Sequence, residues 1–338
     1  MHEDFYGLPT RILSNGCLRL EYLAQAGPRL VRLFLSGFEQ NLFAEVPQLS
    51  WETAYGTYFL RGGHRLWHAP ETHVRTSMPD NDGLLVEALG EAAVRLCAPL
   101  EAATGIRKSL EIRLHAGQPG LTLHHFLFNE GLWPVELAAW AITQLPLGGL
   151  VVLPQQVAAL DPDGVLPNRH LVAWPYTCWG DRRLRLEAAH LFVDAQPAPE
   201  PFKVGYFNRQ GWAGYLWKGI FFCKRFTPQP LRPHPDWGCN VEVFAKDLFV
   251  ELETLGPLTT LQPGEALQHT EEWLISGSPA APLTLEKVLA LPLSSQPAHP
   301  SIDSKSGFSR SLSWPGEPPN ARLSSNLDCS AAPTGSTG

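Results

Sequence analysis

Short runs in which apolar and polar side chains alternate recur from near the first residues to about position 275, and this period of two limits what the chain can fold into. Successive side chains of a strand point to opposite faces, so Leu110, Ile112 and Leu114 fall on one face while Glu111 and Arg113 fall on the other. Val94-Arg95-Leu96 and Leu184-Arg185-Leu186 repeat the scheme, and each reads as a half-exposed antiparallel strand. Turns are marked by Gly117-Gln118-Pro119-Gly120, Asp161-Pro162-Asp163-Gly164 and Gln262-Pro263-Gly264-Glu265, where Pro fixes φ and Gly permits positive φ. Nothing before residue 280 keeps a long helical period, and one short helix is expected around Leu283 to Leu291. The body is therefore expected to be all-β and mainly antiparallel.

After Ser276 the composition shifts, and from Ser294 to Gly338 Ser, Pro, Gly and Ala dominate. A segment like that cannot bury enough apolar surface to offset its ordering entropy. The expected organisation is a β domain over residues 1–278 and a Pro/Ser-rich, mostly disordered tail over 279–338, with Phe308 and Trp314 its apolar exceptions.

The apolar share of 44% suffices for a sizeable core, and the charged share of 17%, against a usual value of about 25%, leaves a rather neutral surface. With a net charge of -7 and no long run of Lys or Arg, neither nucleic acid nor an anionic membrane surface is an expected partner. Met1 to Phe5 lacks the basic and apolar runs of a signal peptide, and no stretch of about 18 apolar residues is present, so a cytoplasmic protein is expected. The six cysteines are scattered and form no C-x-x-C pair; they read as free thiols, with no metal and no cofactor implied.

Three stretches gather chemistry. Arg61-Gly62-Gly63-His64-Arg65-Leu66-Trp67-His68-Ala69-Pro70-Glu71 sets imidazoles, a guanidinium, an indole and a carboxylate behind two glycines, as a binding loop on a rigid sheet does; the ordinary alternative is a solvated loop. His64 and His68 have the spacing of helical metal ligands, but Gly62, Gly63 and Pro70 oppose a helix. Asn240-Val241-Glu242-Val243-Phe244 precedes Phe249 to Leu258, where a strand would put Glu251 and Glu253 on one face and Val250 and Leu252 on the other. Two close carboxylates can separate in pKa and leave one as a base; two solvated glutamates are the ordinary alternative. Leu121 to Thr143 reads as a hairpin turning at Asn129-Glu130-Gly131, with His125 a core histidine and His124 on the opposite face. Among the 11 tryptophans, Trp67, Trp140, Trp174, Trp179 and Trp237 lie near polar or turn-forming residues, where a ring can stack on a sugar.

Gly62-Gly63-His64-Arg65-Leu66-Trp67, Pro134 to Trp140, Asn240 to Phe244 and Glu251 to Leu258 together resemble an uncharacterised bacterial family of the galactose mutarotase-like superfamily. Leu261-Gln262-Pro263-Gly264-Glu265 and His269-Thr270-Glu271-Glu272-Trp273 resemble that superfamily's last strands, so the likeness covers roughly residues 8 to 276. The resemblance implies a large antiparallel β-sandwich with a concave sugar-binding face. It implies a glutamate base in a Leu-Glu-Thr context, matched by Glu253, and a histidine acid on a mid-chain strand, where Trp140 stands instead.

Opening a pyranose needs the anomeric hydroxyl deprotonated and the ring oxygen protonated, so a replacement acid is required, with His64 or His68 the candidates. Arg65 is expected to anchor hydroxyls or an anionic substituent. Trp67, His68, Glu71, Trp140, Asn240, Glu242 and Glu251 complete the expected substrate-binding set, and a small-molecule sugar is the expected partner. The leading expectation is a carbohydrate-binding protein, possible as an aldose 1-epimerase or related isomerase. A non-catalytic sugar-binding or sensing module is the alternative, and a polysaccharide lyase or hydrolase the weaker one.

Overall fold

A computed structural model describes residues 4–293, and the expected disordered tail lies outside the described residues from 294 onward. Two large antiparallel sheets face each other. The first runs in the order Asp4–Phe5, Leu8–Ser14, Leu18–Leu23, Arg29–Leu35, His64–Ala69, Val135–Leu145, Phe249–Leu255, Val241–Lys246, Phe202–Tyr206 and Val172–Ala173, with Thr259–Leu261 pairing beside Val135–Leu145. The second runs Leu184–Leu186, His190–Asp194, Leu150–Pro154, Trp212–Trp217, Ile220–Arg225, Ala266–Ser276, Gly120–Asn129, Ile106–Leu114, Ala93–Cys97 and Leu85–Gly90.

The alternation does what its period requires. Leu110 and Ile112 are buried in the layer between the sheets, against Leu20, Leu33, Leu123 and Val243. On the other face Glu111 sits opposite Arg95 in the register and accepts from its Nη2 at 3.0 Å. Each leucine so buried contributes about 1.5–3 kcal/mol, so the shared layer is what fastens the sheets.

Two local expectations are corrected. The Gly-Gly-His-Arg stretch is not a loop: His64–Ala69 is a fully buried strand pairing with Val135–Leu145. Gly62 and Gly63, at φ of 98° and 68°, make the bend that carries the chain out of the hairpin Glu45–Thr53/Gly56–Gly62 and into the first sheet. A Cβ on either would lie 2.1 Å from the Ala44 carbonyl oxygen or 1.9 Å from that of Leu30. Gly120–Asn129 and Val135–Leu145 do not form a hairpin, because they belong to different sheets and residues 130–134 carry the chain from one layer to the other. The short helix expected around Leu283 to Leu291 is present as Leu285–Leu289, capped by Thr284, and its Val288 packs with Leu283 and Leu285 onto Val152, Phe192, Trp212 and Phe221, so the chain beyond Ser278 stays packed on the body to Leu293.

Candidate functional site

The strand Phe249–Leu255 is buried on both sides. Val250, Leu252 and Thr254 face the layer between the sheets, leaving Glu251 and Glu253 together on the outer face, as the period of two requires. The registers then fix their neighbours: Glu253 lies opposite Ile142 on one side and Glu242 on the other, and Glu251 lies opposite Gln144 and Phe244. Trp140 is opposite Trp67, and Ile142 opposite Arg65. The outer face of the first sheet therefore gathers Arg65, Trp67, Trp140, Glu242, Glu251 and Glu253, residues spread over 189 positions of sequence in the numbering from 65 to 253.

Ion pairs join them. Arg65 Nη2 donates to Glu251 Oε1 at 2.8 Å, and its guanidinium lies 4.3 Å over the Trp67 ring. Glu253 Oε2 accepts from Trp140 Nε1 at 2.6 Å and from Lys203 Nζ at 3.1 Å. The same Lys203 nitrogen is 2.7 Å from Glu242 Oε2 and lies over the rings of Trp140 and Trp174 at 4.5 and 4.6 Å. The hairpin Glu45–Thr53/Gly56–Gly62 covers part of this face, Tyr58 and Leu60 packing against Trp67 and Trp140.

Several polar atoms in this dry setting have no hydrogen-bond partner among the described residues: Arg65 Nε and Nη1, both amide atoms of Gln144, Glu253 Oε1 and Glu242 Oε1. Buried polar groups are nearly always satisfied in a protein, so such a concentration calls for partners from ordered water or from a ligand. Burial, opposed by Lys203 and reinforced by Glu253, pushes the Glu242 carboxyl well above the usual carboxylate range. Burial likewise raises Glu251, against the pull of Arg65. Burial acts to lower the Lys203 ammonium, but the Glu242 and Glu253 carboxylates outweigh it and hold it well above its ordinary value.

Two expected residues lie elsewhere. His64 and His68 alternate with Arg65 and Trp67, so they point between the sheets, on the side away from Glu253. His64 cannot act as the acid on a substrate that Glu253 touches. Both its nitrogens are engaged, Nδ1 with Thr143 Oγ1 and Nε2 with His125 Nε2, each at 2.8 Å. His68 is buried beside Glu101, its Nε2 3.6 Å from Oε2, with Lys108 completing that pair.

The interlayer group can be read proton by proton. His125 Nδ1 faces the His269 carbonyl at 3.1 Å and must donate to it; its Nε2 then accepts from His64 Nε2–H, and His64 Nδ1 accepts from the Thr143 hydroxyl. Thr254 donates to Glu271 Oε1, and so accepts from His269 Nε2 at 2.7 Å. Trp273 Nε1 and Lys224 Nζ also donate to Glu271, at 2.8 and 3.0 Å. His64, His125 and Glu271 bring ligand atoms within 4.8 Å of one another, but hydrogen bonds and the Lys224 ammonium already account for them.

Of the other expected residues, Asn240 is tied to the backbone of Asn208 through both amide atoms, at 2.6 and 3.0 Å, which makes it a clamp on that loop. Glu71 is exposed beyond the cis Ala69–Pro70 bond, within electrostatic reach of Tyr176. Trp179 and Trp237 are exposed. Sequence reasoning missed Lys203, Gln144 and Tyr176; the available signal for Lys203 was the run Phe202-Lys203-Val204, which isolates one ammonium on the face opposite two core residues.

Solved structures carry the comparison. Over 80% of its length the chain matches the whole of a candidate aldose 1-epimerase from Escherichia coli K12, with TM-score 0.51 and 16% identity. Over 79% it matches the whole of a galactose mutarotase-like protein from Lactobacillus casei ATCC 334, with TM-score 0.50 and 13% identity. The chain has the galactose mutarotase-like fold. The chain also matches a TPR-domain containing protein from Parabacteroides distasonis ATCC 8503, with TM-score 0.58 and 14% identity over 87% of its length, and spans half of that protein. No protein-family model and no curated protein matches the sequence. In this mutarotase-like sandwich the charged cluster occupies the middle of the first sheet, with four strands to one side of the Val135–Leu145 and His64–Ala69 pair and four to the other.

Proposed function

We propose that the protein binds a sugar on the outer face of the first sheet and interconverts its anomers, with Glu253 as the base. The observation that carries this reading is the state of one carboxylate: Glu253 has Oε2 fixed by Trp140 and Lys203 while Oε1 is buried without a partner. A base needs that arrangement, one oxygen to orient it and one free to take a proton. The mutarotase-like fold, shared with candidate aldose 1-epimerases, supports a sugar as the ligand. Arg65 Nε and Nη1 and the Gln144 amide supply donors and an acceptor for hydroxyls, and the half-buried Trp174 ring supplies apolar surface for a sugar face.

A second reading, a sugar-binding module without turnover, is favoured by one feature: Trp140 donates its only N–H to Glu253 and has no proton to give a ring oxygen. NMR exchange spectroscopy on a panel of aldoses and aldose phosphates separates the two. Acceleration that disappears in Glu253→Gln supports the epimerase; line broadening of one sugar without acceleration supports the module. We also place the protein in the cytoplasm, on the basis of its free thiols at Cys17, Cys97, Cys178, Cys223 and Cys239; among the described residues no helix is long and apolar enough to cross a membrane.

A further inference from the structure

Resting on the epimerase reading, we propose that Glu242 is the proton donor that works opposite Glu253, so that a second carboxyl on the adjacent strand takes the part for which Trp140 has no proton. Glu242 and Glu253 are register partners, and their Oε2 atoms are two contacts on one Lys203 nitrogen. Position 205, directly opposite Glu242 on its other side, is glycine, and a Cβ there would lie 2.8 Å from Glu242 Cγ. The strand is thus built to seat this side chain.

Charge counting says which carboxyl keeps a proton. The face holds three carboxyls, Glu242, Glu251 and Glu253, and two cations, Arg65 and Lys203. Glu251 has Arg65, and Glu253 has Lys203 together with the Trp140 N–H. Glu242 has only a share of Lys203, and Asp236, Cys239 and Glu253 around it add no positive charge. An uncompensated charge in a dry site is costly enough that the group neutralises instead. The proton then sits on Oε1, because Lys203 stands against Oε2 and Oε1 has no hydrogen-bond partner among the described residues.

With a sugar bound, Glu253 Oε1 takes the proton of the anomeric hydroxyl while Glu242 gives its proton to the ring oxygen. The bond between C1 and the ring oxygen breaks and the C1 carbonyl forms. After rotation about C1–C2 the new hydroxyl attacks the other carbonyl face, and both protons return. Atoms and electrons balance, and no redox partner enters.

The test measures wild type, Glu242→Gln, Glu242→Asp and Glu253→Gln by NMR anomer exchange and sugar line broadening, with infrared carboxyl spectra of the first two. Glu242→Gln is expected to keep sugar binding but lose about 100-fold or more in exchange, the usual contribution of a positioned acid. Glu242→Asp should recover part of that loss. A protonated-carboxyl band at pH 7 should be present in wild type and absent from Glu242→Gln. Wild-type exchange by Glu242→Gln beside an inactive Glu253→Gln would leave the base in place and overturn the donor. Absence of the band from wild type would overturn the donor too, whatever the variant does. A wild type that exchanges no aldose would overturn both the donor and the epimerase reading.

Discussion

The indole Nε1 of Trp140 donates to Glu253 Oε2 at 2.6 Å, so the residue standing where the mutarotase-like resemblance leads one to expect an acid holds one oxygen of the proposed base. Trp140→Phe keeps the ring that packs on Trp67 but removes that donor. It should lower stability by about 1–3 kcal/mol, the cost of leaving a buried acceptor less satisfied, and should lower anomer exchange while leaving sugar broadening in place. Urea unfolding and exchange spectroscopy on the same sample check both halves.

His64 gives a contrasting prediction, because it lies between the sheets. His64→Leu removes the donor to His125 Nε2 and should cost about 1–3 kcal/mol of stability, yet exchange per folded molecule should match wild type. A loss of exchange larger than the loss of folded protein would put His64 back among the reacting groups.

Acid should loosen the fold through the same histidines. Burial holds His125 at about 3 and His269 at about 4, below the ordinary value of 6.5. As pH falls through 6.5 the unfolded chain takes up protons that the folded one does not, so stability drops by about 1.4 kcal/mol per pH unit for each histidine until their folded pKa values are reached. Glu271 adds to this further down: against its burial, the Lys224 ammonium and the Thr254 hydrogen bond hold it at about 2, so its contribution is lost as pH falls from about 4.5 toward 2. Denaturant melts between pH 7 and pH 4 should show the falling midpoint, with a shallower fall in His125→Gln.

The short helix after Ser278 makes a prediction about the domain's end. Val288 is buried on Val152, Phe192 and Phe221, so a chain stopped at Ser278 bares that apolar patch, whereas one stopped at Leu293 keeps it covered. We expect the shorter chain to melt at lower temperature and to bind an apolar dye, and Val288→Ala in the full chain to cost about 1–3 kcal/mol. Equal melting of the two truncations would place the end of the fold at Ser278.

What the sequence disclosed follows from which strands have a wet face. Leu110 to Leu114 shows its alternation because Glu111 and Arg113 reach solvent or one another, and Glu251 and Glu253 could be put on one face by the same count. His64 to Ala69 is covered on both sides, so it carries no polar stripe, and with two glycines before it the stretch imitates a loop. Counting alternate residues there would have separated His64 from Arg65. The turn signal at Asn129-Glu130-Gly131 was real, but a turn does not say whether the next strand pairs with the last or crosses to the other layer. Lys203 was hidden for a different reason: its partners Glu242 and Glu253 are far along the chain, and only the sheet order brings them to it.

Apolar side chains attract without direction, so two greasy sheets could in principle stack at several offsets with similar energy. The chain of protons from Thr143 through His64 and His125 in one branch, and from His269 through Thr254 to Glu271 in the other, allows only one of them. Slide one sheet by a residue pair and Lys224, which keeps Glu271 on its own sheet, loses the carbonyls of Ala141 and Leu252 across the layer, leaving buried N–H groups of its ammonium unmet. The network thus acts as an index pin, and what it indexes is the alignment of the layer that carries Glu253 over the layer that carries Glu271.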